Sequence, residues 1–353
     1  MLKFLDQKEE EAFARDGYIV RQVLDQHQID SARNEIEAWM RVQHDGWPDK
    51  LPFHDDTLTY FSALEVDPEV SGSISKRLNA IVGEAFLTNT IGAVVGQNGI
   101  AVKVTNGRAV PLHLHAPLVL APFGRNVICW CSLADADEDS GTLFVIPRSH
   151  NLYRHIHIAG EPQFFDPYKE ELVREYGVAV AVKAGEAIYF DNVLLHGSYP
   201  NQLASPRLVI LANLLETGST HVSYRRAVDG SIEVVSGLRQ MMTGYSNSMK
   251  NGRNYELDDN KAILKRLPAW NRKASFEQLE ILLQSDLIPS EEFDPLEYLC
   301  GPEKPVEAVH CPNRQQSISQ MLKLRLRAMI REIPGAQIIR RFTLRVLGRH
   351  HHL

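Results

Sequence analysis

The alternation of apolar and polar positions predicts three helices and a strand in the first ninety residues. Apolar residues recur at a 3–4 spacing in the helical segments, whereas the run YIVRQV alternates as a strand does. Helices are predicted at 7–16, from Asp25 or Gln28 to Met40, and at 75–88, and the strand is predicted at 18–23. Residues 41–75 contain three prolines and predict loops.

The pattern of residue types changes at about residue 89, where short β-rich runs begin, each bounded by turn residues. The runs are IGAVVG, GIAVKVTNG, VPLHLHAPLVLA, RNVICWCSLAD, GTLFVIPRS, VAVAVKAGEAIYFDN and PRLVILANLLE. Short strands without intervening helices favour a sandwich or barrel over a parallel α/β sheet. A mainly β fold with flanking helices and a closed or double-sheet β core over 89–218 is therefore expected.

The sequence after residue 218 predicts fewer secondary-structure elements. The run HVSYRRAVDGSIEVVSG has an Asp-Gly turn and predicts a hairpin, and a helix is expected at 275–284. The predicted division of the chain is a helical segment at 1–88 that packs on the core, the β core at 89–218, a wrapping or substrate-loop region at 219–315, and a helical tail at 316–353.

Composition places the chain among ordinary globular proteins: 353 residues, 44% hydrophobic and 23% charged. The N-terminus turns acidic within eight residues, unlike a signal peptide, and the apolar runs are too short to cross a bilayer. The four cysteines have no zinc-ligand spacing. A cytoplasmic protein is expected, and the net charge of −6 argues against nucleic-acid binding.

The positive charge of the chain is concentrated in its last 38 residues. Residues 316–353 carry a net +7, which leaves −13 for the rest of the chain, and apolar stripes predict two amphipathic helices separated by Pro334-Gly335. Such helices could pack on the acidic remainder of the chain or on a second subunit. They could also lie on an anionic membrane surface, in which case the substrate could be lipid-linked. The sequence leaves the oligomeric state open.

Two histidines within an apolar run are the first candidates for chemistry. His113 and His115 lie two residues apart, so on a strand both imidazoles project from the same face. That geometry suits two metal ligands, although two ordinary histidines near a strand end would give the same pattern.

A third histidine and an arginine follow the run AIYF. His196 begins the segment HGS, and Arg207 lies eleven residues later at the start of an apolar run. A buried arginine needs an anionic partner, and its guanidinium fork fits a carboxylate. The partner could be an internal acid or a dicarboxylate ligand.

Between these elements, an acidic connection (133–150) is expected to be a solvated hairpin, and Cys129 and Cys131 are expected to pack in the core. His150, His155 and His157 could line the mouth of the barrel, but solvated loop positions are favoured for them.

Together these segments resemble the phytanoyl-CoA dioxygenase-like family of iron(II), 2-oxoglutarate-dependent oxygenases. The resemblance rests on FARDGYIVRQVL, on the His-x-[Asp]-like region at 113–115, on the 137–150 connection ending in PRSH, and on HGSYPNQLASPR at 196–207. It covers about residues 9–215.

The resemblance implies a double-stranded β-helix, a cupin-like jelly roll that holds one iron. His113 and His196 would be metal ligands, Arg207 would bind the far carboxylate of 2-oxoglutarate, and Ser198 could assist it. The implied activity is oxygen-dependent hydroxylation of an aliphatic C–H bond in a small-molecule substrate.

The sequence departs from the family at His115, where a metal-binding carboxylate is usual. His115 could itself bind iron and give a three-histidine site. The register could instead shift by two, so that His115 is the first ligand and Pro117 stands at an empty carboxylate position, as in related halogenases. Asp191 could substitute as the carboxylate. Finally, the chain could have lost iron and become a binding module.

These alternatives leave three functions beside hydroxylation. They are halogenation or another oxidation at a carboxylate-free iron site, ligand binding by a catalytically silent jelly roll, and a cupin-like metal enzyme that does not use 2-oxoglutarate. The last would have no need for Arg207 as a carboxylate ligand.

Overall fold

The computed structural model describes most of the first 236 residues and two later segments. The described residues are 2–44, 51, 57–65, 67–115, 118–119, 125–152, 158, 163–236, 262–267 and 274–285. The predicted tail at 316–353, Pro117, His155 and His157 lie outside these residues. Among the residues described, no helix is long and apolar enough to cross a membrane.

Five α-helices flank the sheets in the described part of the chain. They are α1 (Gln7–Asp16), α2 (Gln26–Gln43), α3 (Pro68–Leu87), α4 (Lys169–Tyr176) and α5 (Phe276–Gln284). Side chains cap the N-termini of α1, α2, α3 and α5, and Asp25 with Gln28 and Ser275 with Gln278 form capping boxes. Gly17 ends α1 in the left-handed conformation, with φ of 83°.

Fifteen strands are formed by the described residues. In chain order they are β1 (Lys3–Phe4), β2 (Tyr18–Gln22), β3 (Thr59–Phe61), β4 (Thr90–Ile91), β5 (Ala93–Lys103), β6 (Val110–His113), β7 (Asn126–Ser132), β8 (Leu143–Val145), β9 (Val178–Ala179), β10 (Glu186–Asp191), β11 (His196–Ser198), β12 (Arg207–Glu216), β13 (Val222–Arg226), β14 (Ile232–Ser236) and β15 (Ile263–Leu267).

Two facing sheets form the predicted jelly roll. The larger has the order β2-β10-β7-β12-β5-β3 and the smaller β6-β11-β8-β9, with antiparallel pairing throughout. From β5 to β12 the chain alternates between the two sheets except at β8 and β9, which pair with each other in the smaller sheet. The predicted fold class is therefore confirmed.

Helices cover the outer faces of both sheets. On the larger sheet, α1, α2 and α3 bury the outward side chains of β5, β7, β10 and β12 in one core. On the smaller sheet, α4 and α5 pack over Leu112, Leu114 and their neighbours. A third core fills part of the space between the sheets, around Trp130 and Phe190. The inward positions of the strands therefore line one interior.

Four local predictions about the fold were wrong, and the first is the expectation of core strands without intervening helices, since α4 lies between β8 and β9. Helix α3 begins at Pro68, seven residues before the predicted start, because Asp67 caps it and proline is tolerated in the first turn. Most of the runs IGAVVG and GIAVKV forms the single strand β5, which continues through Gly96 and Gly99, whereas Ile91 belongs to β4. The acidic connection is not a hairpin, since β7 and β8 belong to different sheets.

Beyond residue 218, β13 and β14 form the predicted hairpin, and β15 adds a third strand. This small sheet is bonded to the segment that follows β6, since the Val222 N–H donates to the Leu118 carbonyl at 3.1 Å. An isolated bridge also pairs Val119 with His221.

Candidate metal centre and anion pocket

Strand β6 and the two residues after it direct two histidines into the barrel, because successive residues alternate between faces. Leu112 and Leu114 are buried in the outer core against α4 and α5. His113 and His115 therefore project inward. The strand is short and lies at the edge of its sheet, so its position depends on its one neighbour, β11.

Strand β11 brings a third histidine to the same place. His196 is the antiparallel Cα partner of His113, and residues directly opposite each other project to the same face. The pairing register shifts between His196 and Ser198. Two histidines 83 positions apart in the chain are thus brought together by adjacent strands.

The three imidazoles form a compact cluster. Ring centroids lie 4.3 Å apart for His113 and His196, 4.8 Å for His115 and His196, and 5.3 Å for His113 and His115. One nitrogen from each lies within 4.8 Å of the others, and no carboxylate or cysteine joins this group among the described residues. Phe190 packs beside His196, with ring centroids 4.6 Å apart.

Backbone carbonyls hold two of these rings in one orientation. Nδ1 of His113 donates to the Pro111 carbonyl at 2.9 Å, and Nδ1 of His196 donates to the Leu194 carbonyl at 2.8 Å. Because a carbonyl only accepts, each Nδ1 carries the hydrogen and Nε2 keeps its lone pair. This hydrogen bond is the usual support of a metal-binding histidine.

Burial favours the uncharged form of His113 and of His196. It lowers the pKa of His113, and together with the neighbouring His113 and His115 it lowers the pKa of His196 well below 6.5. A metal ion binds the neutral form of imidazole. The donor set therefore fits a divalent transition-metal ion at neutral pH.

Arg207 begins β12 inside the same barrel and is 5% exposed. Its guanidinium stacks on Trp130, with 4.9 Å between the guanidinium carbon and the ring centroid, and donates from Nη1 to the Gly141 carbonyl. Its Nε is buried and has no hydrogen-bond partner within the described residues, and no carboxylate there forms an ion pair with it. Burial lowers the pKa of Arg207 to about 9, which still leaves it charged at pH 7.

A buried lysine, which sequence reasoning missed, lies opposite Arg207. Lys103 on β5 is the Cα partner of Arg207 and is fully buried. Its ammonium donates to Ser198 Oγ at 2.8 Å, to the Tyr199 carbonyl at 2.7 Å and to the Arg108 carbonyl at 2.8 Å. The feature of the sequence that could have revealed it is that Lys103 is the one charged residue of β5.

Lys103 lies beside both Ser198 and Arg207, two residues predicted from the sequence. Ser198 lies two residues beyond His196 on the inward face of β11, and its hydroxyl accepts from Lys103. Since that bond uses an oxygen lone pair, the hydroxyl hydrogen of Ser198 can be donated to another acceptor. Arg207, Lys103 and Ser198 therefore lie at one end of the interior.

The remaining sequence candidates lie elsewhere or have other roles. Cys129 and Cys131 pack in the outer core, as predicted. His150 is buried and bonded to the Ala14 carbonyl, so its assignment to a solvated loop was wrong. Asp191 does not belong to the histidine cluster; its carboxylate accepts from the Val193 N–H at 3.0 Å.

Comparison with known proteins gives a family match. A family model described as "Phytanoyl-CoA dioxygenase (PhyH)" matches residues 13–209, more than half of the chain. This range contains the three clustered histidines and Arg207. No curated protein sequence matches the chain.

Solved structures with similar folds include three at low identity. EctD from S. alaskensis, with 2-oxoglutarate and 5-hydroxyectoine, has 21% identity, a TM-score of 0.45, and coverage of 62% of this chain and 78% of that one. The non-heme alpha ketoglutarate dependent carbocyclase SnoK from nogalamycin biosynthesis has 16% identity and a TM-score of 0.43, with coverage of 61% and 86%. AviO1 from Streptomyces viridochromogenes Tue57 has 21% identity and a TM-score of 0.42, with coverage of 61% and 97%.

Proposed function

This chain belongs to the phytanoyl-CoA dioxygenase family, and from that premise we propose that it is an iron(II)- and 2-oxoglutarate-dependent oxygenase. The reaction proposed is hydroxylation of an aliphatic C–H bond. The observation that carries the proposal is the presence, within one barrel, of a three-imidazole cluster and a buried guanidinium whose Nε has no partner among the described residues.

His113, His115 and His196 would hold the metal. Three protein ligands would leave coordination positions on the metal for the cosubstrate and for oxygen. Iron bound there would supply oxygen activation. The carbonyls of Pro111 and Leu194 hold two of the ligand rings, so little rearrangement is needed when the metal binds.

Arg207 would bind the carboxylate of 2-oxoglutarate that lies far from the metal. Its fork matches a carboxylate, and the bound anion would provide the partner that Nε lacks. Lys103 adds positive charge on the facing strand, and Ser198 offers a hydroxyl hydrogen. Trp130 and Phe190 keep this part of the interior apolar, which strengthens each of these interactions.

The third imidazole in the cluster favours hydroxylation over halogenation. A halide would need a metal position of its own, and the third imidazole would occupy that position. Halogenation would require one imidazole to leave the metal. It therefore remains the second candidate, and chloride-dependent product mass would reveal it.

The substrate would enter where the 219–315 region approaches β6. The bridge between Val119 and His221 joins this region to the segment that follows His115. A small molecule is the proposed substrate class. If it is lipid-linked, the net +7 of residues 316–353 would favour contact with an anionic membrane surface.

Turnover without the natural substrate tests this proposal. The protein, supplied with iron(II), ascorbate and 2-oxoglutarate in air, should release succinate slowly, and His196→Ala should release none above background. Succinate release that is equal in the two proteins would contradict the proposal. So would a wild-type protein that retains neither iron nor 2-oxoglutarate, which would indicate a binding module.

A further inference from the structure

The run PRSH, at the end of the acidic connection, bonds to the chain immediately before His196. Within this run, Ser149 Oγ accepts from the backbone N–H of Leu195 at 2.8 Å. The Leu195 carbonyl in turn accepts from the Ile146 N–H at 2.8 Å. Both main-chain groups of Leu195 are therefore held by the segment 146–149, and His196 is the next residue in the chain.

One planar peptide connects the Ser149 hydroxyl to the imidazole of His196. The N–H of Leu195 and the carbonyl of Leu194 belong to the same peptide unit, which is rigid. The N–H donates to Ser149 Oγ, and the carbonyl accepts from Nδ1 of His196 at 2.8 Å. A hydrogen bond that fixes one end of this unit therefore fixes the other end, and it also polarises the carbonyl as an acceptor.

The backbone of Ser149 is itself fixed, so its hydroxyl is a firm support. The Ser149 N–H donates to the Ile146 carbonyl at 3.2 Å, and the Ser149 carbonyl accepts from the Leu152 N–H at 3.2 Å. The residue before it is also anchored, because the Arg148 N–H donates to the Asp16 carbonyl of α1 at 3.0 Å.

The whole connection is shielded from solvent. Ser149, Leu194 and Leu195 are all fully buried. If the hydroxyl were removed, the Leu195 N–H would be buried without an acceptor, which is costly. The peptide would then turn toward another acceptor, and the Leu194 carbonyl would turn with it, away from Nδ1 of His196.

We propose that Ser149 is a positioning residue that orients His196 for the metal through the peptide between Leu194 and Leu195. The part of this inference that concerns the metal rests on the proposed function. The part that concerns the tautomer of His196 is independent of it, because the tautomer is a property of the metal-free protein.

Two substitutions separate positioning from a general loss of stability. Ser149→Ala removes the hydroxyl that holds the peptide. Ser62→Ala is the matched control, because Ser62 is also buried and its Oγ also accepts from a backbone N–H, that of Ile100 at 3.0 Å. Both variants lose the same kind of buried hydrogen bond, and only Ser149 is bonded to the peptide that orients His196.

Nitrogen NMR of the ¹⁵N-histidine-labelled, metal-free protein reads the tautomers directly, with signals assigned by single His→Gln variants. We expect Nδ1–H for His113 and His196 in the wild type and in Ser62→Ala. In Ser149→Ala, His196 should also populate the Nε2–H form. His113 should keep Nδ1–H there, because its acceptor is the Pro111 carbonyl. An unchanged His196 tautomer in Ser149→Ala would overturn the inference.

If Ser149→Ala does not fold, Ser149→Cys takes its place. A cysteine packs well in a buried position, and its sulfur is a weaker acceptor than the serine oxygen. The tautomer of His196 should shift in the same direction to a smaller extent, and an unchanged tautomer in this variant would equally overturn the inference.

Cobalt(II) affinity of the metal-free protein gives the second readout. Ser149→Ala should weaken binding about tenfold, as loss of a group that supports a metal ligand typically does. Ser62→Ala should stay within about twofold of the wild type. Equal weakening in the two variants, or no weakening in either, would overturn the positioning role. A wild type that binds no metal would refute the proposed function, and the tautomer result would still decide the role of Ser149.

Discussion

Arg207→Met should stabilise the ligand-free protein and at the same time weaken its binding of 2-oxoglutarate. Burial lowers the pKa of Arg207 from 12.5 to about 9. At about 1.4 kcal/mol per pH unit, holding this charge costs the folded protein on the order of 5 kcal/mol. The bond to the Gly141 carbonyl returns about 1.5–3 kcal/mol, and the stack on Trp130 about 0.5–2 kcal/mol, part of which a thioether retains. The expected net gain in the free energy of unfolding is about 1–3 kcal/mol.

Chemical denaturation of the metal-free proteins at pH 7 measures that gain. Anaerobic calorimetry with manganese(II) or iron(II) measures the loss of cosubstrate affinity. Removing one partner of a buried charge pair costs about 2–5 kcal/mol, so the Kd for 2-oxoglutarate should rise by a factor of about 30 or more.

Arg125→Met is the matched control for this substitution. Arg125 also stacks on an aromatic ring, Phe13 at 5.0 Å, and also donates to a carbonyl, that of Leu2 at 3.2 Å. It differs in having a carboxylate partner, Glu10, at 2.8 Å. Arg125→Met should therefore destabilise the protein. If Arg207→Met destabilises it equally, the charge of Arg207 is already compensated in the folded protein, and the reasoning is refuted.

Three further predictions concern the barrel interior. His113→Ala and His115→Ala should each weaken cobalt(II) binding at least tenfold, and an unchanged affinity in either would contradict the three-imidazole cluster as the metal site. Because the pKa of His196 lies well below 6.5 in the folded protein, the unfolded chain takes up a proton below pH 6.5 that the folded chain does not. The metal-free protein should therefore lose stability as pH falls from 6.5 to 5, by up to about 1.4 kcal/mol per pH unit from this residue, and His196→Gln should show a flatter profile of urea midpoints. Lys103→Met should destabilise the protein by about 2–4 kcal/mol in urea denaturation, since Ser198 Oγ and two buried carbonyls lose their donor, and a neutral effect would show that these bonds contribute little.

The jelly roll was predictable because its strands are short, regularly spaced and punctuated by turn residues. Sheet membership was not predictable, since the pairing of β7 with β10 and β12 depends on contacts between segments distant in the chain. The acidic connection shows this limit: its turn residues suit a hairpin, but the strands it joins belong to different sheets.

The histidine cluster was partly predictable. The two-residue spacing of His113 and His115 placed both on one face, but only the register of β6 with β11 brings His196 opposite His113. Lys103 escaped prediction because a lysine in a strand is usually solvated, and its burial follows from pairing with β12. Asp191 was considered as a ligand because carboxylates bind metals, and its bond to Val193 becomes visible only in the folded turn.

The central claim is that a three-imidazole metal site and Arg207 together bind 2-oxoglutarate. Anaerobic titration of the metal-free protein with iron(II) and then 2-oxoglutarate tests it most directly, through the visible charge-transfer band of the chelated cosubstrate. The account predicts a band at one equivalent of iron that is lost in His196→Ala and that needs at least about 30-fold more 2-oxoglutarate in Arg207→Met. No band in the wild type, or a band unaffected by Arg207→Met, would contradict it.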